Sequence, residues 1–130
     1  MEKRNTNKKT VLIADDNPQI LELLEAYLEP LAVRVKTAKD GQQTLDLVEN
    51  CKPDLILLDI MMPRRSGFEV CRILKQDRRF QDIPIIMVTA LNEFADMERA
   101  RESGAEHFLS KPVNKNELLD KARELLKLEE

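Results

Sequence analysis

Asp15 and Asp16 stand side by side, Asp59 stands alone, and Thr89 and Lys111 follow further along the chain. They close short apolar runs at residues 11–14, 55–58, 85–88 and 108–110. If those runs are parallel strands joined by helices, their C-terminal ends share one edge of one sheet, where open α/β folds bind ligands. Three carboxylates, a hydroxyl and an ammonium then share one small site. Two like charges at 4 Å cost about 4 kcal/mol at an effective dielectric near 20, so the cluster requires a cation. All-oxygen donors select a hard divalent ion. Mg2+ takes one or two carboxylates, keeps several waters and leaves room for a phosphate oxygen. The chemistry indicated is phosphoryl transfer. Asp59, isolated at the end of a central strand, is the candidate nucleophile, and attack on a phosphoryl donor would give an aspartyl phosphate. Asp15 and Asp16 suit the metal, Lys111 supplies a second positive group, and Thr89 supplies a hydrogen bond to a phosphoryl oxygen. Ordinary helix capping explains Asn17 and Pro18. It does not explain a second carboxylate upstream, or why Asp59, Thr89 and Lys111-Pro112 end the other runs.

The elements that must position these groups follow a strand-helix pattern five times over. No Gly/Ser linker, low-complexity stretch or repeat marks a second domain. Strands are expected at 10–15, 33–37, 54–59, 84–89 and 106–109. Three are continuous apolar runs, as buried parallel strands should be. Val33-Arg34-Val35-Lys36 alternates instead, which fits an edge strand with one wet face. Helix starts are signalled by Asn17 with Pro18, by Asp40, by Ser66-Gly67-Phe68-Glu69 as a capping box, by Asn92, and by Asn114 with Glu117. Ile20, Leu24, Tyr27, Leu28 and Leu31 form one sheet-facing stripe, and Leu118, Ala122, Leu125 and Leu126 another. The fourth helix, 92–103, offers only Phe94, Ala95, Met97 and Ala100 to the core, with Gly104 as its left-handed stop. It is expected to be the least firmly packed helix and the natural place for a movable surface.

At 130 residues the chain has room for one domain, burying roughly two-thirds of the surface its unfolded form exposes. A formal charge of -3 with dispersed Lys and Arg gives no electrostatic footprint for nucleic acid. No stretch approaches a membrane span, and the N-terminus lacks the apolar core of a signal peptide. A soluble, cytoplasmic protein is expected. Cys51 and Cys71 have no metal-ligand spacing and read as reduced thiols filling helix faces. Residues 1–9, with Lys3, Arg4, Lys8 and Lys9, read as a flexible leader before a domain at 10–130. Arg64-Arg65 and Arg78-Arg79 read as solvated turns, the first pair close enough to the site to attract phosphorylated partners.

From about Thr10 to Leu128 the chain resembles the receiver domains of two-component response regulators, in particular the chemotaxis-regulator-like ones. The resemblance rests on Val11-Leu12-Ile13-Ala14-Asp15-Asp16, on Asp59-Ile60-Met61-Met62-Pro63 with Gly67 beyond it, on Val88-Thr89-Ala90, and on Phe108-Leu109-Ser110-Lys111-Pro112. It implies a flavodoxin-like, doubly wound α/β fold with five helices and a five-stranded parallel sheet in the order 2-1-3-4-5. Asp15-Asp16 would then face Asp59 across the switch point between strands one and three. It further implies that Asp59 accepts phosphate from a histidine kinase or phosphotransfer protein. Asp15, Asp16 and Asp59 would hold Mg2+ with the backbone carbonyl of Met61, and Lys111 would pair with the phosphoryl group. Thr89 and Phe108 look like the family's switch pair: Thr89 moves toward the phosphoryl oxygen, the loop after strand four shifts, and the ring turns inward. Phe108 keeps the ring of the frequent tyrosine without its hydroxyl, and a constitutively buried core ring is the plainer alternative. Lys111-Pro112 resembles the family's cis peptide. Fast-hydrolysing members often carry an amide or carboxylate two residues after the aspartate or the switch threonine. Met61 and Leu91 stand there, which implies a long-lived phosphoprotein.

By this resemblance the output surface spans the fourth helix, fifth strand and fifth helix, roughly 92–128. Its partners are a histidine kinase or phosphotransfer protein and a downstream effector or fused output domain, without direct nucleic-acid or membrane contact. The unphosphorylated form is expected to be a monomer, with phosphorylation-dependent pairing left open. Since the sequence stops at Glu129-Glu130, a stand-alone regulator or a receiver cut from a larger protein is expected, catalysing only its own phosphorylation and dephosphorylation. Three other readings compete. A receiver-like scaffold would work through protein contacts alone. A dehalogenase-like Mg2+-dependent phosphohydrolase would want Asp-x-Asp after the first strand and an inserted cap, neither of which is present. A flavodoxin-type cofactor binder would want a glycine- and hydroxyl-rich phosphate loop where Asp15-Asp16-Asn17-Pro18 would repel phosphate.

Overall fold

A strand without a polar face must be covered on both sides, and β3 (Leu55–Leu58) is buried along its whole length. The computed structural model describes residues 8–128. Most of the expected leader therefore lies outside the described residues. Around β3 lie β1 (Thr10–Ala14) and β4 (Ile85–Thr89), with β2 (Arg34–Ala38) and β5 (His107–Ser110) at the edges. All pairings are parallel, in the order β2-β1-β3-β4-β5. Each strand lies within one residue of its expected bounds.

The helices are α1 (Pro18–Tyr27), followed by a 3-10 turn (Glu29–Leu31), then α2 (Gly41–Cys51), α3 (Gly67–Lys75), α4 (Phe94–Glu102) and α5 (Lys115–Leu126). Side chains alternate across the pleat, so the sheet feeds two cores. Val11, Ile13, Leu55, Leu57, Ile86 and Val88 pack with Leu24 and Leu28 of the α1 segment and Leu118, Ala122 and Leu126 of α5. Leu12, Ala14, Ile56, Leu58, Ile85 and Met87 pack with Val48 of α2, Phe68, Cys71 and Leu74 of α3, and Ala100 of α4. The sheet is thus doubly wound. Among the described residues no helix is long and apolar enough to cross a membrane.

Four helix starts carry the expected cap residues, although the Glu69 side chain pairs with Arg65 at 2.7 Å and does not complete the capping box expected at Ser66. The side chains of Asn17, Asp40, Ser66 and Asn114 accept from the backbone N–H of Gln19, Gln43, Glu69 and Glu117, satisfying donors that the first turn leaves open. The fourth helix departs from expectation. Its cap is Glu93, not Asn92, because Glu93 and Asp96 bond reciprocally to each other's backbone N–H groups and satisfy two donors at once. Phe94, Ala95 and Met97 also lie outside the core, Phe94 and Met97 at 73% and 41% exposed, and Ala100 is the one buried residue of α4. At 3.6 residues per turn, Met97 and Phe94 are rotated from Ala100 by about 60° and 120°, onto the flank of the buried stripe. Gly104 does end the helix, at φ 104.

At the end of the sheet where strands begin, Lys75 donates to the carbonyls of Gln81 and Ile83 at 3.1 and 2.8 Å and pairs with Glu106 at 2.9 Å. Glu106 also accepts from the Ile85 N–H at 2.7 Å, so α3, β4 and the approach to β5 are tied together. Among the described residues edge strand β2 pairs only with β1, and it carries Arg34 and Lys36 exposed on either side of half-buried Val35.

Candidate functional site

Register sets the site. Ala14 pairs with Ala38 and with Leu58, so Asp15 and Asp59 emerge side by side one step beyond the last paired residues. Backbone bonds continue the ladder there: Asp59 N–H to Ala14 O, Asp15 N–H to Ala38 O, and Lys111 N–H to Thr89 O, at 3.0, 3.0 and 2.9 Å. Asp15, Asp59 and Thr89 are buried at 1%, 5% and 1% exposure, whereas Asp16 faces solvent. One carboxylate oxygen from each of Asp15, Asp16 and Asp59 lies within 4.8 Å of the others. The Lys111 ammonium reaches Asp15 Oδ2 at 2.7 Å and Asp59 Oδ2 at 3.4 Å.

Burial, and then the charge of Asp15, push the Asp59 carboxyl above the ordinary carboxylate range, while Lys111 and the Thr89 hydroxyl pull the other way. Burial alone would depress Lys111. Its hydrogen bond to Asp15 and the charges of Asp59 and Asp15 outweigh that, and its pKa is raised. One ammonium against three carboxylates leaves negative charge uncompensated, and every donor atom is oxygen. Those are the conditions a hard divalent cation satisfies. Capping is not the role of these carboxylates: Asp15 does accept from Asn17 N–H at 2.9 Å, but its other oxygen is committed to Lys111.

The loop between β3 and α3 carries Met61, whose N–H points to Asp59 Oδ1 at 3.4 Å. Gly67 pins the far end of that loop. Its N–H bonds Ile60 O at 2.8 Å, and a Cβ there would lie 2.2 Å from the Asp59 carbonyl oxygen. Beside the site runs a groove of about 560 Å³ lined by residues including Met61, Met62, Pro63, Phe68, Leu91 and Arg99, with Asp16 on its wall. The Arg99 guanidinium sits 4.3 Å above the centroid of the Phe68 ring, a cation–π contact between α4 and α3. The Lys111-Pro112 peptide is cis. Thr89 Oγ1 accepts from Leu91 N–H at 3.4 Å, which links the hydroxyl to the loop after β4. Phe108 is half-buried. It lies in a groove with Phe94, Met97 and Ala105, and is not a fully enclosed core ring.

The sequence profile of the response regulator receiver domain matches residues 11–123. The chain belongs to that family. This receiver domain is 41% identical over 117 residues to the DNA-binding dual master transcriptional regulator RpaA of Synechocystis sp., a match covering 90% of this chain and 48% of that protein. It is 42% identical over 115 residues to the response regulator PleD of Caulobacter vibrioides, covering 88% and 25%. The chain spans about half, or less, of the length of the curated relatives it matches. Among solved structures, a response regulator from Chloroflexus aurantiacus matches the receiver domain with a TM-score of 0.88 at 28% identity, over 93% of this chain and 99% of that one. The chemotaxis protein CheY4 of Vibrio cholerae matches with 0.83 at 27% identity, over 91% and 98%.

Of the site residues named from the sequence, Asp15, Asp16, Asp59, Met61, Thr89 and Lys111 fall at this one edge, whereas Phe108 lies within β5, paired with Met87 three residues before Lys111. Gly41 escaped that reading. Its N–H bonds Pro63 O at 3.2 Å, a contact between the first turn of α2 and the β3–α3 loop that no local pattern encodes.

Proposed function

We propose that this receiver domain takes a phosphoryl group onto Asp59 from a histidine kinase or phosphotransfer protein. The observation that carries the reading is the meeting of Asp15, Asp16 and Asp59 oxygens within 4.8 Å under the Lys111 ammonium. Asp15, Asp16 and Asp59, with the Met61 backbone carbonyl, are the groups that would hold Mg2+. A cation bound there neutralises charge on the transferring phosphoryl oxygens. The ionised Asp59 oxygen forms the new bond to phosphorus as the bond to the donor breaks, and the donor nitrogen or oxygen leaves with the electron pair. Lys111, already between Asp15 and Asp59, turns to the phosphoryl group, and Thr89 donates its hydroxyl to a remaining oxygen.

Moving Thr89 withdraws Oγ1 from the Leu91 N–H and releases the loop that leads into α4. Phe108 then turns inward, and the α4-β5-α5 face changes what it binds. A coupling of a few kcal/mol moves such a two-state population. The partners on that face are an effector protein or a fused output domain. The domain catalyses only its own phosphorylation and dephosphorylation, makes no nucleic-acid contact itself, and works in the cytoplasm.

The test is the intact mass after incubation with a small-molecule phosphodonor, with and without Mg2+, beside Asp59→Asn. One added phosphoryl group that requires both Mg2+ and Asp59 is expected. A folded protein that gains no mass under any condition would overturn the assignment and favour a scaffold working through protein contacts.

A further inference from the structure

The loop that carries Met61 is pressed against the first turn of α2 more closely than any side chain permits. A Cβ on Gly41 would lie 2.3 Å from the Arg65 carbonyl oxygen and 2.6 Å from the Arg65 Cβ. The same turn makes three polar contacts with the loop. Gly41 N–H donates to Pro63 O at 3.2 Å, Arg65 Nε donates to Gln42 Oε1 at 3.2 Å, and Arg64 Nε lies 3.6 Å from Asp40 Oδ2. Between these contacts Arg64 is left-handed, at φ 75. That conformation is unfavourable for a residue with a Cβ and persists only where the surroundings over-determine it. Gly67 holds one end of the loop by its bond to Ile60 O, and the α2 turn holds the middle.

We propose that Gly41 is a positioning residue for the cation site. Its missing side chain lets α2 seat residues 63–65, and through them the Met61 backbone two residues earlier, at the distance the site requires. The inference rests on the reading that Asp15, Asp16 and Asp59 take Mg2+ together with the Met61 carbonyl. Groups that hold a metal ligand in place without touching the metal typically set affinity by a factor of 10–100.

Two variants test it in the full chain: Gly41→Ala, which forces the contact apart, and Gln42→Ala, which removes one of its bonds without adding an atom. Mg2+ affinity is read by calorimetric titration, and the Mg2+ dependence of phosphorylation by acetyl phosphate is read by intact mass. Gly41→Ala is expected to raise the Mg2+ Kd roughly tenfold and to raise the half-maximal Mg2+ concentration by the same factor. At saturating Mg2+ its rate should return to near the wild-type value. Gln42→Ala should move both in the same direction by a smaller factor, and it decides the matter if Gly41→Ala does not fold. Wild-type Mg2+ affinity in the folded variants would overturn the inference, as would a rate lost at every Mg2+ concentration with Kd unchanged. Absence of Mg2+ uptake by the wild-type protein would instead overturn the reading of the cation site itself.

Discussion

Asp59 holds its charge where the surroundings resist it, since burial and the neighbouring Asp15 raise its pKa. With the folded pKa above the unfolded one, keeping the carboxylate ionised costs stability at neutral pH. That cost fades as pH falls through the raised value and is absent below the ordinary value of about 3.9. Asp59→Asn is therefore expected to raise the melting temperature in Mg2+-free buffer near neutrality, by about 4 °C for each kcal/mol relieved. Calorimetry should show the advantage shrinking as pH approaches about 4; a gain independent of pH would contradict this account. Met61 offers a second test. At 61% exposed it stands over the site without a group able to orient water, so Met61→Asn should shorten the lifetime of the phosphoprotein, measured as decay of the mass adduct. An unchanged decay would assign the lifetime to other residues.

Among the α-helices α4 is held least, with Ala100 its one buried residue and Arg99 on Phe68 its stacking contact with α3. Phe94→Ala should change stability by no more than about 0.5 kcal/mol, since the ring is mostly in solvent. Leu118→Ala in α5, at a fully buried position, should cost about 2–5 kcal/mol. Urea denaturation distinguishes them, and a large loss from Phe94→Ala would mean that the ring packs in solution. The same helix shows where sequence reading stops. The strands were legible because continuous apolar runs ending on polar residues leave little choice of position. Asp15, Asp16, Asp59, Thr89 and Lys111 were legible with them, because a parallel sheet brings all such ends to one edge. In α4 hydrophobicity misleads: Phe94 is apolar, but its angular position sets it beside the core, and the Glu93–Asp96 pair claims the cap that Asn92 suggested. The seat of Gly41 on Arg65 depends on how two separated segments meet, and no local pattern carries that.

Taken whole, the domain is tied by charged groups at both ends of its sheet. Lys75 and Glu106 tie the end where strands begin, and there Arg79 bridges Glu49 and Asp77. The opposite end holds the carboxylate cluster, where the Lys111 ammonium bridges Asp15 and Asp59, so a change of charge there acts on the bridge itself. Among the described residues the outer side of β2 is unpaired, and it carries a different burden. Any sheet with a bare strand edge offers a template on which another chain can add, and flanking charges are a common deterrent. Arg34 and Lys36 fill that role here, so Arg34→Val with Lys36→Val should leave the far-UV circular dichroism intact while light scattering reports growing aggregates. The two cations of an unremarkable strand thus act as guards of solubility.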